Sequence, residues 1–528
     1  MSIAYYLSVP MLRTNAVGAA LLALLAAQAG AQFPRLAPPP PCRATIVAPA
    51  LLSYWAGGPA RDSRPKVAVF ALEPEIDDAA RVYLAIALPE RIRQRLSRDP
   101  GLRVASEGSV SRAMSDARSR ADSAAILLRA DFLITGRLLI VDARQEVELV
   151  LHRRGEPIPA WQASFRATTS LRAVEDAVVR GLSRAMGLSG TPGTPRGWPA
   201  TDVGHAAVLA GDTYLRAPGV AGTDSAIFYY ERALKEDPAA SVAAVKLARA
   251  YAMTLDRGGE IPGYAGTAGP RRVNEILDRA FASDSSSEVW TIRGMLARAI
   301  DPVRFKGALD AHLRAVSANP RDAEAEHEYG VTLLRLGDIR GADSHFRRAL
   351  SLEPGRSTTF AALSWMELQE SDYASACVFS NASIAAWPYD PLPYAVRAEA
   401  RMKLADSRDA FSDAELVRKL ATGAWPSALR LLVVYGTSNV DEAREQIIGL
   451  TGNFLSPGGQ LTVRDAEYLA RAYLAMGDRR RAIESLRRAR PVGADLRVTI
   501  QSPRLAAIRK DSAVVRMFAE AEGRGLRD

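Results

Sequence analysis

The side chains with which this chain of 528 residues could do chemistry are few: five histidines, two cysteines and seven lysines. His327 and His345, with Glu324 and Glu328 beside the first, carry donor types that suit a divalent metal. Helical spacing puts the two histidines on different helices of one hairpin, so they read as ordinary surface or interface residues; the other three are His152, His205 and His312. Asp77 and Asp78 follow a short strand with Glu73 nearby, and they read as a helix-start pair that complements the helix dipole. Cys377 reads as a small buried thiol inside a helix. A bond from it to Cys42 suits an oxidising compartment, but the distance between them in sequence lends it no support. No lysine follows the paired glycines of a phosphate-cradling loop, and the kinase signatures, G-x-S-x-G and H-E-x-x-H are absent. A kinase, cyclase, lipase or zinc-protease role therefore has no residues to carry it. No enzyme activity, metal or cofactor is expected.

What remains is a surface, and the second half of the chain supplies it. Pro320, Pro354 and Pro388 recur every 34 residues, each ending a helical stretch, a period that points to stacked helical hairpins. Within Ala323 to Pro354 each residue type has a physical reason. Gly330 and Ala342 let two helices approach, Leu333 and Phe346 fill the space between them, Gly337 breaks the chain, and Pro354 blocks continuation, with Tyr329 and Ala349 at further positions of the pattern.

These positions resemble the tetratricopeptide repeat family in spacing and residue type. Related patterns with less fidelity cover the rest of residues 202–491, giving about eight hairpins and, by that resemblance, a right-handed superhelix capped by residues 492–528. The resemblance further implies a concave groove lined by the first helix of each hairpin. On its register the lining is Arg249, Met295, His327, Val331, Leu334, Arg335, Trp365, Leu368, Met402, Lys403 and Arg471, a mixture suited to a peptide with acidic residues. The Lys and Asn pattern that clamps a C-terminal carboxylate in some members is missing.

The first half reads differently. A strand at Lys66–Ala71 (KVAVFA) precedes a helix whose Leu84, Leu88, Ile92 and Leu96 share one face, with Arg91, Arg93 and Arg95 turned away. A strand, a helix, three antiparallel strands and a closing helix follow, implying one mixed sheet with helices on a face. KVAVFA, LSRDPGLRVAS (Leu96–Ser106), ADFLITGRL (Ala130–Leu138) and the strand with Trp161 resemble the TolB-like amino-terminal domain over roughly residues 66–188. In bacteria that domain commonly sits beside helical repeats and a cyclase, kinase or winged-helix regulator. The resemblance transfers no catalytic residue, and Ala71-Leu72-Glu73-Pro74 departs from the family's usual Pro-Phe and Asn. The fold class is thus a small mixed-sheet α/β domain followed by an all-α array, with Ser189 to Thr201 (189–201) as the linker.

Ahead of this lie Arg13, the uncharged run Ala16–Ala29 and Ala29-Gly30-Ala31, the layout of a secretory signal over residues 1–31. The run is short for a membrane span, which favours cleavage before Gln32 over the alternative, an uncleaved anchor. Residues 32–65 are a Pro-rich tether. The expected location is the periplasm. Net charge is +9, which superficially suggests nucleic acid or an anionic membrane. Residues 1–65 carry five Arg against one Asp and residues 463–528 fifteen basic against nine acidic groups, so the middle is nearly neutral. Arg479, Arg480, Arg481, Arg487 and Arg488 concentrate the excess at the last hairpin, where an acidic partner would dock. The expected function is an exported scaffold for a protein or peptide partner. The alternative is the sensory half of a signalling system whose catalytic half is encoded separately, which neighbouring genes would reveal.

Overall fold

The computed structural model describes residues 63–524 except 75–82, 100, 117–120, 142–143, 167–170, 189, 191–196, 216–219, 257–260, 262, 265, 282–285, 302–304, 422–423, 438–460, 491–498 and 501–502. The proposed signal, the tether up to residue 62, Cys42, Asp77 and Asp78 lie outside these. No described helix is long and apolar enough to cross a membrane.

The first elements are β1 (Lys66–Val69), β2 (Glu73–Pro74), α1 (Tyr83–Leu96), β3 (Arg103–Val104), α2 (Glu107–Asp116), α3 (Ala121–Leu127), β4 (Phe132–Val141), β5 (Arg144–Arg153), β6 (Trp161–Arg166) and α4 (Leu171–Ala185). The sheet runs β3-β1-β4-β5-β6, with β2 also on β4. It is mixed, since β1 pairs parallel to β3 and β4 while β4-β5 and β5-β6 are antiparallel. Alternation along β1 sends Val67 and Val69 to a core with α1 and α4, and Ala68 to a second core with α2 and α3. Helices therefore cover both faces, where the sequence suggested one. Where the sequence suggests one helix between β3 and β4 there are two, α2 and α3.

The expectation that Arg91, Arg93 and Arg95 face solvent is corrected: all three are buried. Helix α1 lies between the sheet and other helices, so its polar face is covered as well. Arg93 donates to the Val69 carbonyl at 2.9 Å, Arg95 pairs with Asp176 at 2.6 Å, and Arg91 pairs with Glu175 at 3.3 Å.

Helical hairpins follow: α5 (Asp202–Leu215) with α6 (Val220–Glu236), α7 (Ser241–Asp256) with α8 (Ala268–Phe281), α9 (Ser287–Ile300) with α10 (Lys306–Ala318), α11 (Ala323–Leu336) with α12 (Ile339–Leu352), α13 (Ser357–Gln369) with α14 (Tyr373–Ala386) and α15 (Pro391–Lys403) with α16 (Ser407–Leu420). Helix α17 (Trp425–Thr437) is followed by undescribed residues, then β7 (Leu461–Thr462), α18 (Val463–Ala475), α19 (Arg479–Arg487), β8 (Ala489–Arg490) and α20 (Ser512–Arg524). One compact unit holds the α/β domain and the hairpin α5-α6, through Ala250; the other holds Tyr251–Leu352 and Ser357 onward.

Local chemistry explains the hairpins. Asp322 caps α11 by accepting from the backbone N–H of Glu324 and Ala325, and Gly337 ends it at φ +86°, a conformation glycine adopts without strain. A Cβ on Gly330 would stand 2.7 Å from the Phe346 ring, so only glycine permits that approach of α11 to α12. Gly294 and His312 repeat the arrangement in α9 and α10. His312 thus occupies an aromatic core slot and is fully buried. Its burial and the Arg298 charge lower its pKa to about 3, keeping the ring neutral.

Candidate partner-binding surfaces

The residues assigned to a groove fall into two groups. Met295, His327, Leu368 and Arg471 are buried and offer no free surface, a correction to the lining drawn from the repeat register. Arg249, Val331, Leu334, Arg335, Trp365 and Met402 are half-buried, and Lys403 is exposed. The reason is packing between successive hairpins. His327 meets the Thr359 hydroxyl of α13 at 3.0 Å, Leu368 packs with Val396 and Ala400 of α15, and Met402 packs toward α17, where its sulfur lies within 2.4 Å of the Cβ position of Gly436.

Two arginines of the group, Arg335 and Arg471, are engaged internally. Arg335 of α11 pairs with Asp256 of α7 at 2.8 Å. Asp256 also takes Arg298 of α9 at 3.0 Å, and Arg298 reaches Glu328 at 2.6 Å and the Thr332 hydroxyl at 3.0 Å. Burial alone would raise the Asp256 carboxyl, but Arg298 and Arg335 outweigh it and hold the pKa at about 2. Further along, Glu399 of α15 accepts from the Tyr468 hydroxyl at 2.8 Å, binds Arg471 of α18 and lies 3.6 Å from Arg504. Burial opposes its ionisation, and Arg471 and Arg504 overcome that to bring its pKa to about 2. Between these sites Arg397 grips Asp413 with two nitrogens at 2.7 and 2.8 Å, and Arg401 reaches the same carboxylate at 2.6 Å. Charges that resemble ligand contacts in sequence are the ties between helices of the array.

His327 and His345 do not share a site. His345 Nδ1 sits 2.7 Å from Glu326 and its ring lies against Tyr329. No cluster of three or more potential metal ligands occurs among the described residues. Cys377 is buried, as the sequence suggested, but as part of a disulfide rather than as a free thiol.

The basic group at the last hairpin is exposed at Arg479, Arg480, Arg481 and Arg487 and half-buried at Arg488. The chain partly neutralises it: Arg479 pairs with Asp511 at 3.2 Å, Arg481 with Asp478 at 3.4 Å and Arg487 with Glu484 at 3.8 Å. Such exposed pairs are worth little energetically and leave the guanidiniums open to a partner.

A different feature escaped the sequence reading. A pocket of 240 Å³ opens where α8, α9 and α10 meet, lined among others by Trp290, Arg293, Leu296, Ile300 and Arg314. The guanidinium of Arg314 stands 4.8 Å and that of Arg293 5.6 Å from the Trp290 ring centre. Trp290, Arg293, Ala297 and Ile300 recur at helical spacing on one face of α9, away from Met295. The assumed groove register directed attention to the other face, although Trp290 with Arg293 one turn on was a legible signal.

Residues 280–415 match the family described as the cilia and flagella-associated protein 70 middle TPR-like domain. No curated protein matches the chain. Among solved structures, the chain is similar to the APC/C hetero-tetramer Cut9-Hcn1, at 13% identity over 65% of this chain and 59% of that one, with a TM-score of 0.42. It is similar to yeast Tom70 at 15% identity, over 62% of this chain and 69% of that one, with a TM-score of 0.36. It is also similar to Pseudomonas aeruginosa pilF at 21% identity, over 43% of this chain and 98% of that one, with a TM-score of 0.33. With its 34-residue period, capped hairpins and family match, the helical part of this chain is a tetratricopeptide-like array.

Proposed function

We propose that the protein is an exported, non-catalytic scaffold that holds a protein or peptide partner on its tetratricopeptide-like array. The observation that carries this reading is how the array spends its charges. Its buried carboxylates and guanidiniums bind one another between helices, as Asp256, Arg298 and Glu328 do, so among the described residues these charges serve as ties of the solenoid. Solenoids of this kind present extended surfaces to partners. In this reading the array is a right-handed superhelix, the sheet domain is TolB-like, and residues 1–31 direct the chain to the periplasm. The disulfide at Cys377 supports an oxidising compartment, because such bonds persist outside the reducing cytosol. The exposed arginines of α19 favour an acidic partner, with no role for nucleic acid.

The test is cross-linking in cells with the full chain as bait, followed by mass spectrometry. Envelope proteins recovered repeatedly, with cross-links mapping to the array and weakened when Arg479, Arg480, Arg481, Arg487 and Arg488 are changed to Gln, are expected. Recovery of cytoplasmic proteins alone, or none above an empty-vector control, would sink the reading.

A further inference from the structure

Resting on that scaffold reading, we propose that the pocket between α8, α9 and α10 is the docking site for a short acidic and apolar segment of the partner. One large apolar side chain of the segment seats against Trp290, Leu296 and Ile300, and a neighbouring carboxylate is held by Arg314.

Size comes first. At 240 Å³ the pocket lies below the range of about 300–1,000 Å³ typical of drug-sized ligands, and it suits a single large side chain better than a cofactor. Its wall is already apolar: Leu296 is buried, while Ile300 is 56% exposed at the rim, an aliphatic side chain left in water that a partner's apolar group would cover.

Charge then selects the partner. Arg298, Arg397 and Arg471 are buried against carboxylates of the array. Arg314 is exposed, has no carboxylate partner among the described residues, and is steadied by the face of Trp290. A guanidinium attracted to a ring face still has N–H groups to give, and a carboxylate can take two of them in parallel hydrogen bonds. Arg293 adds a second positive charge, partly offset by Asp278 at 2.6 Å. Asp310, one turn before Arg314 and also lining the pocket, limits the site to one carboxylate and repels a phosphate chain. A stacked base is disfavoured too, because guanidiniums already stand over Trp290.

The experiment is selection of a random dodecapeptide display library on the immobilised full chain, followed by fluorescence anisotropy of the winning peptides on designed variants. Gly307→Leu puts an aliphatic side chain into the pocket lining, at a position where the new Cβ meets only Ala297 at 3.5 Å. Arg314→Glu reverses the charge at an exposed position. Enriched peptides should carry Asp or Glu beside a large apolar residue, and affinity should fall at least tenfold on either variant while the thermal melts stay unchanged. Rising salt should weaken binding to the wild type and have less effect on Arg314→Glu. Peptides that bind both variants as well as the wild type would remove this site and leave the scaffold reading standing. Enrichment without a carboxylate, or displacement by a single-stranded oligonucleotide, would overturn the assignment of the occupant. No enrichment at all would count against the site and the scaffold reading together.

Discussion

His205 Nε2 lies 2.8 Å from Glu175 Oε1, and both side chains are sealed from solvent. The contact joins α5, the first helix of the array, to α4 of the sheet domain. Arg91 completes it, reaching the other oxygen of Glu175 and standing 3.7 Å over the ring of Trp198, a residue read from sequence as part of a linker. The hairpin α5-α6 and the sheet domain are accordingly one compact unit, and the described end of the linker, Gly197 to Ala200, is structural.

Removing the Glu175 carboxylate should therefore cost far more than a surface change. Burial by itself would raise its pKa, but the hydrogen bond and charge of His205, with the charge of Arg91, hold it below the usual carboxylate range. A depressed folded-state pKa means that the stabilisation is present above the unfolded value and lost as pH falls through the folded one. Glu175→Gln should lower stability at pH 7 by about 3–5 kcal/mol, since it leaves a buried guanidinium short of its counter-charge. Urea titration checks this, and the gap between variant and wild type should narrow as pH falls. An equal loss at every pH would mean the carboxylate acts only through packing.

Asp256 and Glu399 make the same argument in the second unit, with values attached. Each carboxyl is held at about 2, below the ordinary values of 3.8 for an aspartate and 4.5 for a glutamate. Each should contribute about 2–3 kcal/mol at neutral pH that disappears as pH falls from about 4.5 toward 2. Asp256→Asn and Glu399→Gln should flatten the acid limb of the stability curve, measured by urea midpoints from pH 7 to pH 2.5.

Why the array was legible and its surface was not follows from the kind of signal each leaves. The prolines, the Asp322 cap and the Gly330-Phe346 pair are local, and each constrains the backbone within one hairpin. The ion pairs are not local: Arg335 finds Asp256 79 residues away and Arg471 finds Glu399 72 residues away. On a helix a buried arginine and a solvated one look alike, so Arg335 and Arg471 read as ligand contacts and Arg91 as a surface charge. A helix with two covered faces, like α1, defeats the single-stripe reading of periodicity.

Gly330 tests the local signal. Adding a methyl group 2.7 Å from the Phe346 ring forces the two helices apart or the ring off its rotamer. Gly330→Ala should cost about 1–3 kcal/mol despite the better helix propensity of alanine, which in open space would favour it by about 1 kcal/mol. The control is Gly307→Ala, where the nearest atom stands 3.5 Å from the new Cβ and no loss is expected. A stabilised Gly330→Ala protein would show that the hairpin has slack the close approach denies.

Cys377 offers the sharpest test of where the protein works. It is fully buried among Leu368, Ala376, Val396 and Ala400, where a thiol would be inert to bulk reagents, yet it is disulfide-bonded. Peptide mapping of protein from the native host without reductant should join the peptide carrying Cys377 to the one carrying Cys42, the chain's other cysteine. Because a bond closing so long a loop restricts the unfolded chain, reduction should lower stability by about 2–4 kcal/mol. Cys377→Ser should reproduce that loss and make the urea midpoint insensitive to dithiothreitol, whereas Cys377→Ala separates the bond from the cost of burying a hydroxyl. If the native protein carries two free thiols, the oxidising compartment loses its support, and the export reading must then stand on the sequence of residues 1–31 alone.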